Sequence, residues 1–349
     1  MHFYFNNAIE EYTSVTIPDD ITTLTDYFFY NCENVKTFSF GDSINSIEKN
    51  MLYNSSISRI NFTGSLAGFL NVSSTYNFTY AVHFYFDNST TEFTNITLTS
   101  DITELPSYAF YYCPSITSVT FDHSEITRSG NHLFEYTPID TIYVYGKVGY
   151  IHFFDYYNIN NVYFFGSFND WMTSNNINYN PIHLNFDGED AINLVIPEGY
   201  EEIDASRFTR CQDIESVTFN SDLKRIRDHA FYDCNKLTTV NFNEGLQVIE
   251  QSAFSSCTAI TTITLPSTIQ TIGEACFIGC SNLATIYIPS GIALIGDRAF
   301  YSCPSLESVY YSGSKDEFLS LLDDGNIIYI INTKNIVIHC SDGIINFDF

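Results

Sequence analysis

A phenylalanine stands three residues before a cysteine five times in the second half of the chain: Phe208/Cys211, Phe231/Cys234, Phe254/Cys257, Phe277/Cys280 and Phe300/Cys303, each pair 23 residues after the last. A fixed period of this length predicts a solenoid, in which each repeat is one turn that buries its apolar edge against its neighbours. Length alone, 349 residues, would predict two or three compact domains. The repeat overrides that count, because a solenoid has one continuous core.

One unit reads Leu237-x-x-Val240-x-Phe242, a turn at Asn243 to Gly245, Leu246-x-x-Ile249, then Ala253-Phe254-x-x-Cys257. In the following copies Val240 becomes Ile263, Ile286 and Val309, and Phe242 becomes Leu265, Ile288 and Tyr311. Alternation of β-branched residues predicts a short strand, paired in parallel with the same strand of adjacent turns. Pro197, Gly245, Pro266 and Pro289 then force the chain out of the sheet. The pairs Leu223/Ile226, Leu246/Ile249, Ile269/Ile272 and Ile292/Ile295 return it along the opposite side, and the phenylalanines are expected to stack as an internal ladder of rings.

The runs IESVTFNSDLKRIRDHAFYDC, LTTVNFNEGLQVIEQSAFSSC, ITTITLPSTIQTIGEACFIGC and LATIYIPSGIALIGDRAFYSC closely resemble the BspA-like, or treponemal-type, leucine-rich repeats. The resemblance implies a leucine-rich repeat solenoid of the β-rich horseshoe class, with a parallel sheet on its concave face. It also implies a surface protein. Weaker copies at Phe29/Cys32, Leu52/Ser55, Phe110/Cys113, Phe134/Thr137 and Phe153/Tyr156 extend the array to about ten turns of about 23 residues.

A longer repeat is superimposed: HFYFNN from His2, HFYFDN from His83 and HLNFDG from His183 begin similar stretches. Three blocks follow, 1–82, 83–182 and 183–349, read as one continuous solenoid. Each ends in an insert that opens on Gly-Ser, and the inserts at 64–80 and 166–181 are expected to carry short helices. The last block ends in a terminal cap around IVIHCSDG. Because the chain begins in mid-pattern, His2 to Phe5 is either an edge strand that another copy covers, giving end-to-end self-association, or the point where a longer array was cut.

A formal charge of -27 opposes nucleic acid and anionic lipid, where binding depends on Lys and Arg replacing counterions. The chain shows no secretory leader, no apolar run long enough for membrane insertion and no lipid-anchor motif. The cell surface is therefore implied by the resemblance alone, with the cytoplasm as the alternative. Seven of nine cysteines hold one repeat position, which reads as buried free thiols rather than disulfides. No zinc-spaced Cys/His set, phosphate loop or nucleophile elbow occurs, so neither a metal, a cofactor nor an enzymatic activity is expected.

The outward strand positions remain. One column is Ser216, Thr239, Thr262, Thr285 and Ser308; its neighbour is Thr218, Asn241, Thr264, Tyr287 and Tyr310. These would line the concave sheet, the customary binding surface of solenoids, with a protein or matrix partner as ligand. Tyr287 and Tyr310 are the expected anchors, since aromatic residues are over-represented in interfaces.

Overall fold

The computed structural model describes residues 12–48, 50–74, 83–86, 91–123, 126–147, 159–174, 182–321 and 336–347. The chain divides into two units, residues 1–175 and 176–349. Both are parallel β-solenoids.

In the first unit, strands Ser14–Thr16, Thr37–Phe40, Arg59–Phe62 and His83–Phe86 pair in parallel, each residue facing its equivalent in the next turn. Strands Asn95–Leu98, Ser118–Asp122, Thr141–Tyr145 and Asn161–Gly166 do the same. Their alternate residues are buried, among them Phe38, Phe40, Ile60, Phe62, Val119 and Phe121, so the two-residue pleat separates core from solvent as the pattern predicts. The weak copy Phe153/Tyr156 and the segment His2 to Phe5 lie outside the described residues.

The second unit opens on an antiparallel hairpin, Ile182–Phe186 with Glu189–Asp190. Strands Asn193–Val195, Ser216–Thr218 and Thr239–Asn241 form one parallel sheet. Strands Thr262–Thr264, Thr285–Ile288, Ser308–Tyr311 and Ile336–Cys340 form another, closed by the antiparallel strand Gly343–Phe347. On the return side Glu202–Ile203, Arg225–Ile226, Val248–Ile249, Thr271–Ile272 and Leu294–Ile295 make one uninterrupted ladder. Next to the break between the first two sheets, Val240 and Phe242 are only half-buried, whereas their equivalents Ile263, Leu265, Ile286 and Ile288 are buried.

The expected ring ladder fills the second unit. Phe208, Phe231, Phe254, Phe277 and Phe300 stack at centroid spacings of 5.1, 5.2, 5.5 and 5.6 Å, with planes within 13° of parallel. All nine cysteines are free. The repeated cysteine is more than a small apolar filler, however. Cys234, Cys257, Cys280 and Cys303 each donate from Sγ to the carbonyl of the phenylalanine 26 residues earlier, at 3.0, 3.1, 3.2 and 3.2 Å. The carbonyls of Phe208, Phe254 and Phe277 also accept from the backbone N–H of the cysteine three residues on, so the thiol fills a second acceptor position and ties each turn to the next.

The segment carrying each phenylalanine forms a third ladder. The residues two before and two after the ring have left-handed backbones: Ser206/Arg210, His229/Asp233, Ser252/Ser256, Ala275/Gly279 and Arg298/Ser302, with Tyr27/Asn31, Tyr108/Tyr112 and His132/Tyr136 in the first unit, where Asn50/Asn54 flank Leu52 in the ring's place. This geometry turns every second N–H toward the following turn. Ser206, Phe208 and Arg210 donate to the carbonyls of Asp228, Ala230 and Tyr232 at 2.9, 2.8 and 2.7 Å, and His229, Phe231 and Asp233 donate onward in the same way. Left-handed backbone costs a non-glycine residue about 1–2 kcal/mol, against roughly 0.5–1 kcal/mol for the extra freedom of glycine when unfolded. Ala275→Gly, at φ 52°, is therefore expected to raise stability by about 0.5 kcal/mol in urea unfolding; a loss of 1 kcal/mol would contradict this account.

Each insert begins with a short helix, as expected: α1, Leu66–Leu70; α2, Phe168–Thr173; and α3, Lys315–Ser320. The Gly-Ser signature explains their starts. Ser65, Ser167 and Ser314 are the N-caps, accepting from the backbone N–H groups of Gly68, Asp170 and Glu317. Asp170 and Glu317 reach back to complete capping boxes. The preceding glycine permits close approach: a Cβ on Gly313 would sit 2.5 Å from the Tyr311 ring. Helix α1 also repairs the core where the 23-residue period fails, because its buried Phe69 contacts the rings of Phe62, Phe84 and Phe110 at 5.6, 5.4 and 6.0 Å. Among the described residues no helix is long and apolar enough to cross a membrane.

Candidate binding surface

The outward columns are where strand alternation puts them, on the solvent side of the second unit's sheets. Thr218, Thr239, Asn241, Thr262, Thr264, Tyr287 and Tyr310 are exposed; Ser216, Thr285 and Ser308 are half-exposed. They do not form one ladder. Ser216 faces Thr239 and Thr218 faces Asn241 in the first sheet. In the second, Thr262, Thr285 and Ser308 follow one another, as do Thr264, Tyr287 and Tyr310.

Within the first sheet the side chains are spent on each other: Asn241 donates from Nδ2 to Thr218 Oγ1 at 3.0 Å, and Ser216 donates to Asn193 Oδ1 at 2.7 Å. The second sheet carries an aromatic stripe. The Tyr287 and Tyr310 rings stack at 4.8 Å and 14°, and the His339 ring continues the stack at 4.5 Å and 10°. Register explains the third member, since Tyr310 lies opposite His339 on the neighbouring strand. His339 was separable from the sequence only by extending strand alternation across the insert to IVIHC, which places Val337 and His339 outward.

Beside the stripe lies an open groove of about 590 Å³, lined by Tyr287, Tyr310, His339, Cys340, Glu244 and Ser267 among others. The Glu244 carboxylate is held at its edge by the backbone N–H and hydroxyl of Ser267, at 3.0 and 2.7 Å. Burial, and then the nearby Asp342 charge, push the Cys340 thiol up, which keeps it protonated and a poor nucleophile. The groove thus offers rigid rings, one fixed anionic acceptor and a rim of hydroxyls. It has the make-up of a contact surface: large amphipathic rings that lose little freedom on binding, surrounded by adaptable polar groups.

Two of the recurring histidines, His83 and His183, are paired with carboxylates. His183 Nδ1 lies 2.7 Å from Asp213, and His83 Nδ1 pairs with Glu92. Among the described residues no group of three or more His, Cys, Asp or Glu could hold a metal ion.

Short parallel strands, narrow return ladders and capped inserts define a repeat scaffold of the leucine-rich class. The chain belongs to the BspA type leucine rich repeat region family, whose model matches residues 2–71, 68–179 and 185–319 with 6 copies. Among solved structures it is similar to a leucine rich cell surface protein from Faecalibacterium prausnitzii, with 22% identity, TM-score 0.45, and 89% of this chain and 90% of that one covered. A leucine-rich repeat protein from Bacteroides ovatus is 20% identical, with TM-score 0.49 and coverage of 92% and 83%. The T. pallidum leucine rich repeat protein is 31% identical over 34% of this chain and 58% of its own, with TM-score 0.34. No curated protein matches the chain.

Proposed function

We propose that this chain is a non-enzymatic recognition protein that binds a protein partner, of the host or extracellular-matrix kind, through the sheet face of its second unit. The observation carrying this reading is the exposed stripe Tyr287–Tyr310–His339 beside its groove. Exposed aromatic rings of this size act as anchors in interfaces, and the smaller hydroxyl side chains around them exclude water without adding much energy. The polar columns Ser216, Thr218, Thr239, Asn241, Thr262, Thr264, Thr285 and Ser308 form the flanks of the same face.

The test is biolayer interferometry against purified matrix glycoproteins, comparing the wild-type chain with Tyr287→Ser/Tyr310→Ser. The expected result is a loss of affinity of roughly tenfold or more with unchanged Tm. Equal affinity would move the site off this face. Repeat arrays of this family type occur in surface proteins, and recognition at the cell surface is the setting proposed. The nine free cysteines favour a second setting for the same surface, a scaffold inside the cell. Surface biotinylation of intact cells separates the two: labelling before lysis supports the first, labelling only after lysis the second.

A further inference from the structure

The first unit carries a second aromatic surface, on the left-handed turns rather than the sheet. Tyr108, Tyr111, Tyr112 and Tyr136 gather there with His132. Tyr111 and Tyr112 lie 5.4 and 5.3 Å from Tyr136, and Tyr108 stacks on the His132 ring at 5.1 Å and 16°. Tyr136 is 62% exposed and Tyr112 39%. The turns 27–31 and 50–54 also carry tyrosines, Tyr27, Tyr30 and Tyr53, again exposed and in mutual contact, although Asn31 and Asn54 stand where the cluster has Tyr112 and Tyr136.

Two features set this surface apart from the equivalent turns of the second unit. First, tyrosines occupy left-handed backbone at Tyr27, Tyr108, Tyr112 and Tyr136, with φ between 59° and 60°, whereas no such position of the second unit holds a tyrosine: Arg210, His229, Asp233 and Arg298 stand there beside serine, alanine and glycine. The repeat sets this backbone in both units; what is particular to the first is that it presents exposed aromatic rings from it. Second, the five-residue turns 27–31, 50–54, 108–112 and 132–136 contain no Lys or Arg, while those of the second unit contain Arg207, Arg210 and Arg298. The rings therefore have no Lys or Arg of their own turns to stack on, and His132 covers Tyr108 alone among the four. The Glu135 carboxylate, paired with His132 Nδ1, stands at the edge of the cluster.

We infer that the Tyr108–Tyr111–Tyr112–Tyr136 cluster is an interaction surface for an arginine-bearing polypeptide segment. Charge complementarity selects this partner: the chain carries a formal charge of -27, and a guanidinium can stack on a tyrosine face while donating to a carboxylate beside it. The same unit already makes that contact internally, with the Arg59 guanidinium 3.5 Å above the Tyr85 ring.

The test is calorimetric titration, near physiological salt, with a synthetic decapeptide of alternating arginine and serine, and with its counterpart carrying neutral citrulline. The wild-type chain is expected to bind the arginine peptide saturably and the citrulline peptide at least about tenfold more weakly. Tyr112→Ser/Tyr136→Ser should lose about tenfold or more, and Tyr112→Phe/Tyr136→Phe should stay within about threefold, because the ring face is retained. Tyr287→Ser/Tyr310→Ser should bind the peptide like the wild type, so this inference can fail or stand independently of the sheet-face reading. Serine is already the residue at the equivalent positions 256 and 302, so the double serine variant should keep its Tm. No saturable binding, equal affinity for the citrulline peptide, or an equal loss in the sheet-face variant would each overturn the inference.

Discussion

Phe254→Ala is expected to lower the unfolding free energy by about 3–5 kcal/mol, the range for emptying a buried phenylalanine site. Its ring is stacked on both faces, 5.2 Å from Phe231 and 5.5 Å from Phe277, and meets the edge of Phe242 at 5.8 Å and 88°. Neither neighbour can close the gap without breaking its own stack on the far side. Urea unfolding followed by far-UV circular dichroism measures the change, and a loss below about 1 kcal/mol would show that the turn collapses around the cavity. Since Phe231 and Phe254 share a contact, the double variant Phe231→Ala/Phe254→Ala should cost measurably less or more than the two single losses added, by about 0.5 kcal/mol or more. Strict additivity would mean the rings contribute separately.

Alkaline pH should destabilise the chain even more. Burial pushes the thiols of Cys113, Cys211, Cys257, Cys276 and Cys280 well up, and that of Cys303 up to about 12. An unfolded thiol ionises near 8.5, so between that value and the folded one the unfolded chain sheds protons that the folded chain must keep. Stability is full below about pH 8.5 and falls as pH rises toward 12. At pH 10.5 Cys303 alone removes about 2–3 kcal/mol by this linkage, and the other buried thiols act in the same direction. The measurement is unfolding at pH 8 and pH 10.5. Cys303→Ala should flatten the dependence even though it loses the bond to the Phe277 carbonyl. An unchanged slope in that variant would remove thiols from the explanation.

Much of this architecture could be read in the residues themselves because a 23-residue period repeats both chemistry and position. Phe254 and its equivalents announce a stacked core, the alternation around Thr262 and Thr285 announces a solvent face, and Gly-Ser before an apolar patch announces a capped helix. The left-handed pairs could not be read this way. Ser252, His229 and Ala275 are not residues that mark such a backbone, and inter-turn hydrogen bonds hold them there. The thiol-to-carbonyl bonds were equally hidden, since a buried cysteine looks the same in sequence whether or not its hydrogen has an acceptor. On the sheet face, Tyr287 and Tyr310 were visible as outward rings. The interruption between Thr239–Asn241 and Thr262–Thr264 was not, because the repeat itself is unbroken there.

The ladder of left-handed turns gives the second unit a direction. In each turn three peptide groups point their carbonyls back toward the preceding turn and their N–H groups forward to the next, so their dipoles of about 3.5 D add along the stack instead of cancelling. Taken by itself that ladder is electrically polar in the way a helix is, negative toward its first turns and positive toward its last. The return side opposes it, since Arg227, Glu250, Gly273 and Gly296 donate backward to the carbonyls of Ile203, Ile226, Ile249 and Ile272. A copied turn can be spliced in anywhere along the array, but only facing the same way, since a reversed one would set carbonyl against carbonyl.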